Sequence, residues 1–211
     1  MKIDSGGKKT REKGNQPFEL IAGHAALDLV NTLDWRFRDT GTEELIPGYA
    51  ELVRFVVQCG FLTAPDGRRL LRNAGANRAA QVVSAMRELR EAASQVFYSV
   101  VEGSDPPLEA LRGLESCFKE TEAHRGLRWS DNRLRWEFPA GPLAPELPLW
   151  ILSLTTAQLI TSDSMEMVRA CGNPECRWLF LDTSKNHTRR WCDMKICGNR
   201  MKARRFKAQH R

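Results

Sequence analysis

Four of the six cysteines in this 211-residue chain are grouped near its carboxyl end with the spacing of a metal site. Cys171 and Cys176 enclose four residues, Cys192 and Cys197 enclose four more, and fifteen residues separate the two pairs. Two turns of this kind can bring four thiolates around one tetrahedral Zn²⁺. Because four cysteines close the coordination shell, the spacing predicts one structural zinc ion. The alternatives are disulfide bonds, which a reducing cytosol disfavours, and replacement of one thiolate by His187.

The same tripeptide begins at the first and at the last of these cysteines: Cys171-Gly172-Asn173 and Cys197-Gly198-Asn199. Gly and Asn tolerate a positive φ at low cost, so both tripeptides are predicted to turn sharply and to point backbone N–H groups at sulfur. The neighbouring apolar residues, including Trp178 and Phe180, are too few to fold this module alone. Zinc binding is therefore expected to be part of its folding free energy.

The charge distribution singles out the same part of the chain. Residues 165–211 carry 12 basic and 4 acidic groups (+8), residues 1–14 carry 5 and 2 (+3), and residues 15–164 carry 15 and 20 (−5). A basic module on an acidic body predicts an anionic partner for the module, most simply nucleic acid. The predicted nucleic-acid contacts are basic residues that lie shortly before the third cysteine and, at helical spacing, after the fourth. They are Arg189, Arg190, Arg200, Lys202, Arg204, Arg205, Lys207 and Arg211.

The elements that must carry this module are predicted to be mainly α-helical. The clearest helix ends near Gly103 and carries apolar residues at alternating spacings of four and three, which place one stripe along a helix of about seven turns. That stripe consists of Val82, Met86, Leu89, Ala93, Val96 and Val100. Shorter helices are predicted around residue 30, after Pro47, after Thr63, after Pro107 and from Leu147.

One small β-hairpin interrupts the helices. Between Gly126 and Phe138 the apolar period changes to two, and Asp131-Asn132 suits a two-residue turn. In that register the apolar residues share one face and two arginines meet on the other. The predicted pairs are Trp129 with Leu134, Leu127 with Trp136, and Arg128 with Arg135.

Three segments follow from these patterns. Residues 1–16 are predicted to be a disordered basic arm, residues 17–164 a helical body, and residues 165–211 a small four-cysteine zinc module with a basic carboxyl-terminal helix. The hydrophobic content of 42% is that of a globular protein. The longest apolar stretch, Leu147 to Ile160, is shorter than the roughly 20 residues that span a bilayer. The expected location is the cytoplasm, without a membrane partner.

Polar residues in and after the first helix are the other candidate site. Asp28 and Asn31 fall on one face of an apolar helix, and Arg36 follows shortly after. Because buried polar groups are normally satisfied within the fold, a structural role is favoured over a ligand site. The sequence has no phosphate-binding Gly loop, no G-x-S-x-G and no cluster of His and carboxylates, so an enzyme is not expected.

The cysteine-rich segment resembles the CGNR zinc-finger family through residues 171–176, 180–185, 189–192 and 197–200. The body resembles the ABATE domain that is usually paired with that finger, through residues 26–32, Ala-Leu-Asp-Leu-Val-Asn-Thr. The resemblance implies a bacterial, stress-linked transcriptional regulator whose finger binds DNA. It carries the family's zinc ligands onto the same four cysteines.

Sequence and resemblance together predict a zinc-dependent DNA-binding regulator. A structural zinc ion would hold the basic helix against DNA, and the body would sense a small-molecule effector or form a homodimer. Three alternatives stay open: an RNA-binding protein, a protein-interaction adaptor whose zinc finger is purely structural, and, third, an enzyme whose polar groups would be Asp28, Asn31 and Arg36.

Overall fold

The computed structural model describes residues 17–139 and 143–209. The predicted fold class, mainly helical with a hairpin and a compact four-cysteine module, is confirmed. The helices are α1 (Ala25–Asn31), α2 (Tyr49–Gln58), α3 (Ala64–Asn73), α4 (Ala76–Glu102), α5 (Leu108–Ala123), α6 (Leu147–Ile160) and α7 (Asn199–Gln209). The strands are β1 (Leu33–Asp34), β2 (Glu43–Glu44), β3 (Gly126–Ser130), β4 (Arg133–Glu137), β5 (Val168–Ala170) and β6 (Leu179–Leu181). The predicted arm, residues 1–16, lies outside the described residues, as does Arg211.

The long helix α4 forms as its apolar spacing predicts, and Gly103 ends it with a left-handed φ of 70°. The stripe from Val82 to Val96 is buried, but Val100 is 41% exposed, so its predicted place in the core is wrong. No residue of α4 after Phe97 is buried. The last turn therefore extends beyond the core.

Helix α6 is the centre of the bundle. It packs against α1, α2, α4 and α5, so it has buried residues on several sides instead of one stripe. Among them, Ser153 and Thr156 are fully buried. The Thr156 hydroxyl donates to the carbonyl of Leu152 at 2.7 Å, which satisfies it inside the core. No helix of the described chain is long and apolar enough to cross a membrane.

The hairpin β3–β4 has the predicted register in every pair, with φ of 50° and 58° at Asp131 and Asn132. The guanidinium of Arg135 has a charged partner, because it donates to the Asp131 carboxylate at 3.0 Å. The apolar side chains of the opposite face are largely exposed, and the Trp136 indole contacts the end of α5.

The carboxyl-terminal module, residues 165–209, shares the core of the helical body. Its ribbon β5–β6 packs on α1 and α4, and Leu179 and Phe180 are fully buried in the same apolar cluster as the helices. The few apolar residues of the module are thus buried mainly against the body. This packing explains how a segment with so small an apolar content is held in place.

Candidate metal centre

The first two cysteines lie on the connection between β5 and β6. The backbone N–H of Cys171 donates to the carbonyl of Trp178 at 2.8 Å, which continues the ribbon. The N–H of Cys176 donates to the carbonyl of Asn173 at 3.0 Å and closes a tight turn. Backbone hydrogen bonds therefore fix the main chain at both cysteines.

The second pair is held by a π-helical turn, Met194–Gly198. The carboxylate of Asp193 caps this turn by accepting from the N–H groups of Lys195 and Ile196 at 2.6 and 2.9 Å. The N–H of Cys197 donates to the carbonyl of Asp193 at 3.0 Å. The acidic residue that follows Cys192 thus has a structural reason to be there.

The geometry of the four thiols fits one zinc ion. All four are buried, and their sulfur atoms lie within 4.8 Å of one another. The sulfur of Cys192 lies 3.7 Å from those of Cys176 and Cys197. A tetrahedral ion with Zn–S bonds of about 2.3 Å requires sulfurs about 3.8 Å apart. The cluster can therefore hold one zinc ion through Cys171, Cys176, Cys192 and Cys197, and its closed shell suits a structural role.

The hydrogen bonds within the cluster shift its pKa values in opposite directions: donation to Cys171 raises the pKa of Cys176 and that of Cys192 and lowers that of Cys171. Hydrogen bonds from the thiols of Cys176 and Cys192, and then from backbone N–H groups of Cys192 and Asn173, hold the pKa of Cys171 far below its ordinary value. The amide of the fully buried Asn173 points at Cys197 Sγ, 3.6 Å away. These contacts are the outer shell that orients metal ligands.

His187 does not replace a thiolate. Its side chain is exposed, and its Nδ1 atom lies 2.9 Å from the carbonyl oxygen of Asp182. The Asp182 carboxylate accepts from the N–H of Ser184 and from that of Arg189, at 3.1 and 2.9 Å. This network shapes the connection between the two cysteine pairs.

The positive φ predicted for the two Cys-Gly-Asn tripeptides is wrong, because neither glycine has one. The predicted contact of a backbone N–H with sulfur is present in the first tripeptide, from Asn173 to Cys171. A Cβ atom at Gly172 would lie 3.2 Å from the ring of Trp191, and one at Gly198 would lie at the same distance from that ring. Both glycines therefore pack closely on one tryptophan, and a Cβ atom at Gly198 would also overlap the sulfur atom of Met194. The left-handed φ in the first turn, 49°, falls on Arg177 instead.

Comparison with known proteins agrees with this geometry. Residues 167–210 match the CGNR zinc finger, and residues 23–163 match the ABATE family, described as "putative stress-induced transcription regulator". The chain belongs to the ABATE family. Its carboxyl-terminal module is a CGNR finger. The search among curated proteins found no match.

Hydrogen bonds join the CGNR finger to the ABATE domain. The amide of Asn31 in α1 donates to the carbonyl of Leu179 and accepts from its N–H, both at 2.9 Å. The N–H of Leu181 donates to the carbonyl of Ala22 at 2.8 Å. Strand β6 is thereby held by α1 and by the segment before it.

Asp28 stabilises the segment before α1 that contacts strand β6. Its carboxylate accepts from the N–H of Ala22 at 3.0 Å, and burial raises its pKa to about 6. Asp28 and Asn31 therefore have the hydrogen bonds of structural groups. The sequence indicated that both side chains need hydrogen-bond partners. It could not show that the partner of Asn31 lies in the finger.

Arg36 is not part of that arrangement. Its guanidinium forms an ion pair with Glu91 of α4. The neighbouring Arg90, which sequence reasoning missed, is 2% exposed and binds the Glu44 carboxylate at 2.8 and 2.7 Å. Arg90 follows Met86 by four residues, which places it on the buried face of α4. The helical spacing could therefore have identified it as a buried charge.

The predicted nucleic-acid contacts of the CGNR finger divide into two groups. Arg189 is committed to the fold, because its side chain donates to the carbonyls of Trp191 and Cys192 and lies over the Phe180 ring. The others that the structure describes are exposed, apart from the half-buried Arg200. These are Arg190, Arg200, Lys202, Arg204, Arg205 and Lys207.

Proposed function

We propose that this ABATE-family chain is a DNA-binding transcription regulator in which the zinc-bound CGNR finger holds α7 against duplex DNA. The observation that carries the proposal is the character of α7. This helix has five basic residues, no acidic residue, and no buried residue over Asn199–Gln209. A helix that buries no residue in its own fold leaves most of its surface for a partner.

The dimensions of α7 suit the major groove. Eleven residues make a helix about 16 Å long, and the groove is about 12 Å wide. The helix begins directly after the π-helical turn that contains Cys197, so the metal site fixes its first turn. Arg and Lys on such a helix can reach phosphates on both sides of the groove and base edges within it.

The ABATE domain contributes to the same surface. The guanidinium of Arg38 lies 3.3 Å from the centre of the Trp35 ring, and that of Arg200 lies 5.1 Å from it. Arg204 forms an ion pair with Glu175 at 2.6 Å, which offsets part of its charge. We therefore propose Arg38 as a further phosphate contact, beside α7 and outside the finger.

The test is fluorescence anisotropy of the zinc-loaded full chain with labelled duplex DNA over a salt series. Lys202→Gln combined with Arg205→Gln removes two exposed charges of α7. Arg68→Gln combined with Arg72→Gln makes the same charge change on exposed residues of α3 and serves as the control. We expect the α7 variant to weaken binding by about tenfold or more and to reduce the salt slope by about two, and the control to do neither.

Other outcomes would contradict the proposal. Absence of binding at low salt, or equal losses in both variants, would rule out α7 as the contact element. Tighter binding of single-stranded or structured RNA than of duplex DNA would favour an RNA-binding protein instead. Point variants are preferred to a chain that ends at Ser164, because removing the finger would uncover the core that it shares with the ABATE domain.

A further inference from the structure

The hairpin β3–β4 exposes a continuous apolar face, which the described chain covers in part only at Trp136. Its four side chains are Leu127, Trp129, Leu134 and Trp136, with exposed fractions of 64%, 68%, 63% and 45%. Large apolar side chains grouped in this way are uncommon on a protein surface and mark interaction sites. We refer to these four residues as the hairpin patch.

The hairpin patch is uncharged and firmly positioned. Its strand residues are all apolar, whereas Arg128 and Arg135 pair on the opposite face, and the one guanidinium found over its rings is that of Arg125, 5.9 Å from the centre of the Trp136 ring in the described chain. The Trp136 indole N–H donates to the Glu122 carboxylate at 3.0 Å, and Arg125 donates to the Trp136 carbonyl at 2.6 Å. These bonds tie the base of the hairpin to the end of α5, so the patch is preorganised for a partner.

The arrangement of large and small side chains identifies that partner. Near the tip, Trp129 of β3 pairs with Leu134 of β4; near the base, Leu127 of β3 pairs with Trp136 of β4. The two tryptophans therefore occupy one diagonal of the patch and the two leucines occupy the other.

A diagonal pattern of this kind is complementary to itself. When a second hairpin is laid face to face by a two-fold axis, either along the strands or across them, each tryptophan comes to lie over a leucine. Symmetric dimers need such a surface, because the same patch serves on both subunits. We propose that the hairpin patch is a homodimer interface whose occupant is the hairpin patch of a second copy of this chain.

The area of the patch places the dimer in the size class of weak, transient interfaces. With about 200 Å² for a tryptophan side chain and somewhat less for a leucine, the exposed fractions leave about 400 Å² of apolar surface per copy. Two copies bury about 800 Å², which is half of the roughly 1,600 Å² of a standard interface. The dimer is therefore weak and forms in a concentration-dependent way. The two fingers of such a dimer would suit paired DNA half-sites. The interface itself needs no DNA, so it does not rest on the proposed function.

The first test is sedimentation equilibrium of the full zinc-loaded chain without DNA, from about 1 to 200 µM, where a weak interface is populated. Trp129→Thr combined with Leu134→Thr keeps residues that favour strands and should raise the dimer dissociation constant at least about tenfold. The control is Leu71→Gln combined with Leu108→Gln, at exposed apolar sites on α3 and α5. Its dissociation constant should equal that of the parent.

The second test uses swaps that keep the composition of the patch. Trp129→Leu with Leu134→Trp preserves tryptophan over leucine only for a two-fold axis along the strands. Leu127→Trp with Trp129→Leu preserves it only for an axis across them. We expect one swap to retain the dimer and the other to lose it.

Three outcomes would overturn the interface. They are a monomer over the whole concentration range, a dimer that the threonine pair leaves unchanged, and a dimer that survives both swaps. The last result would describe a generally adhesive surface, open to other apolar partners, and not a self-complementary one. Circular dichroism of each variant verifies that the helices remain folded.

Discussion

The zinc cluster and α7 are neighbours in the chain, yet their surroundings are opposite. The π-helical turn with Cys197 ends at Gly198, and α7 begins at Asn199. All four cysteines are buried and their module is hydrogen-bonded to α1, whereas α7 buries no residue at all. The cysteine-bearing half of the finger is therefore built into the ABATE fold, whereas α7, the proposed DNA-binding element, is not. Four expected effects, the largest first, test this division.

Removal of zinc should have the largest effect on stability. A strong chelator, or Cys176→Ser, should lower the melting temperature of the full chain by about 10–20 °C, because roughly 5 kcal/mol of folding free energy is lost. Differential scanning calorimetry with a zinc assay measures the change. Cys59→Ser, at a thiol outside the cluster, is the control and should keep both zinc and stability.

Loss of the Asn31 amide should be the next largest effect. Asn31→Ala leaves the buried N–H and carbonyl of Leu179 without partners, at a cost of about 2–4 kcal/mol. Urea unfolding measures this difference, with Asn186→Ala at an exposed site as the control. An unfolding free energy equal to that of the parent would show that α1 does not hold the finger.

The carboxyl group of Asp28 should make stability depend on pH. Its pKa is raised to about 6 in the fold, so the folded chain binds more protons than the unfolded chain below that pH. Stability must then fall as pH rises, by roughly 1 kcal/mol between pH 5 and pH 7. Asp28→Asn should remove that slope, measured as the difference from the parent in urea unfolding at both pH values. An unchanged slope in Asp28→Asn would assign the pH dependence to other groups.

The charges of α7 should have the smallest effect on stability. Lys202→Gln with Arg205→Gln changes exposed side chains only, so the unfolding free energy should stay within about 0.5 kcal/mol of the parent. Thermal melts of the same samples used for DNA binding provide the measurement. A loss of unfolding free energy above about 2 kcal/mol would mean that α7 is packed into the fold as firmly as the cysteines are.

Features that depend on a few neighbouring residues could be predicted. The hairpin register follows from Asp131-Asn132 and a period of two, and the zinc ligands follow from their own spacing. The role of Gly172 could not be predicted, because the ring that lies against it belongs to Trp191, on another part of the chain. The structural role of Arg189 was not predicted either. An arginine that donates to backbone carbonyls cannot be distinguished in sequence from one that binds phosphate.

The four zinc ligands, the helical class of the body, the hairpin and the basic carboxyl end can all be read from the amino-acid sequence. Each of these depends on local spacing, which the period of a helix or strand converts directly into geometry. Three other features depend on how the chain packs: the finger is built onto α1 through Asn31, Arg38 lies beside α7, and the apolar face of the hairpin is largely exposed. Those contacts join residues far apart in the chain, and which of many compatible surfaces meet is settled by packing of the whole core.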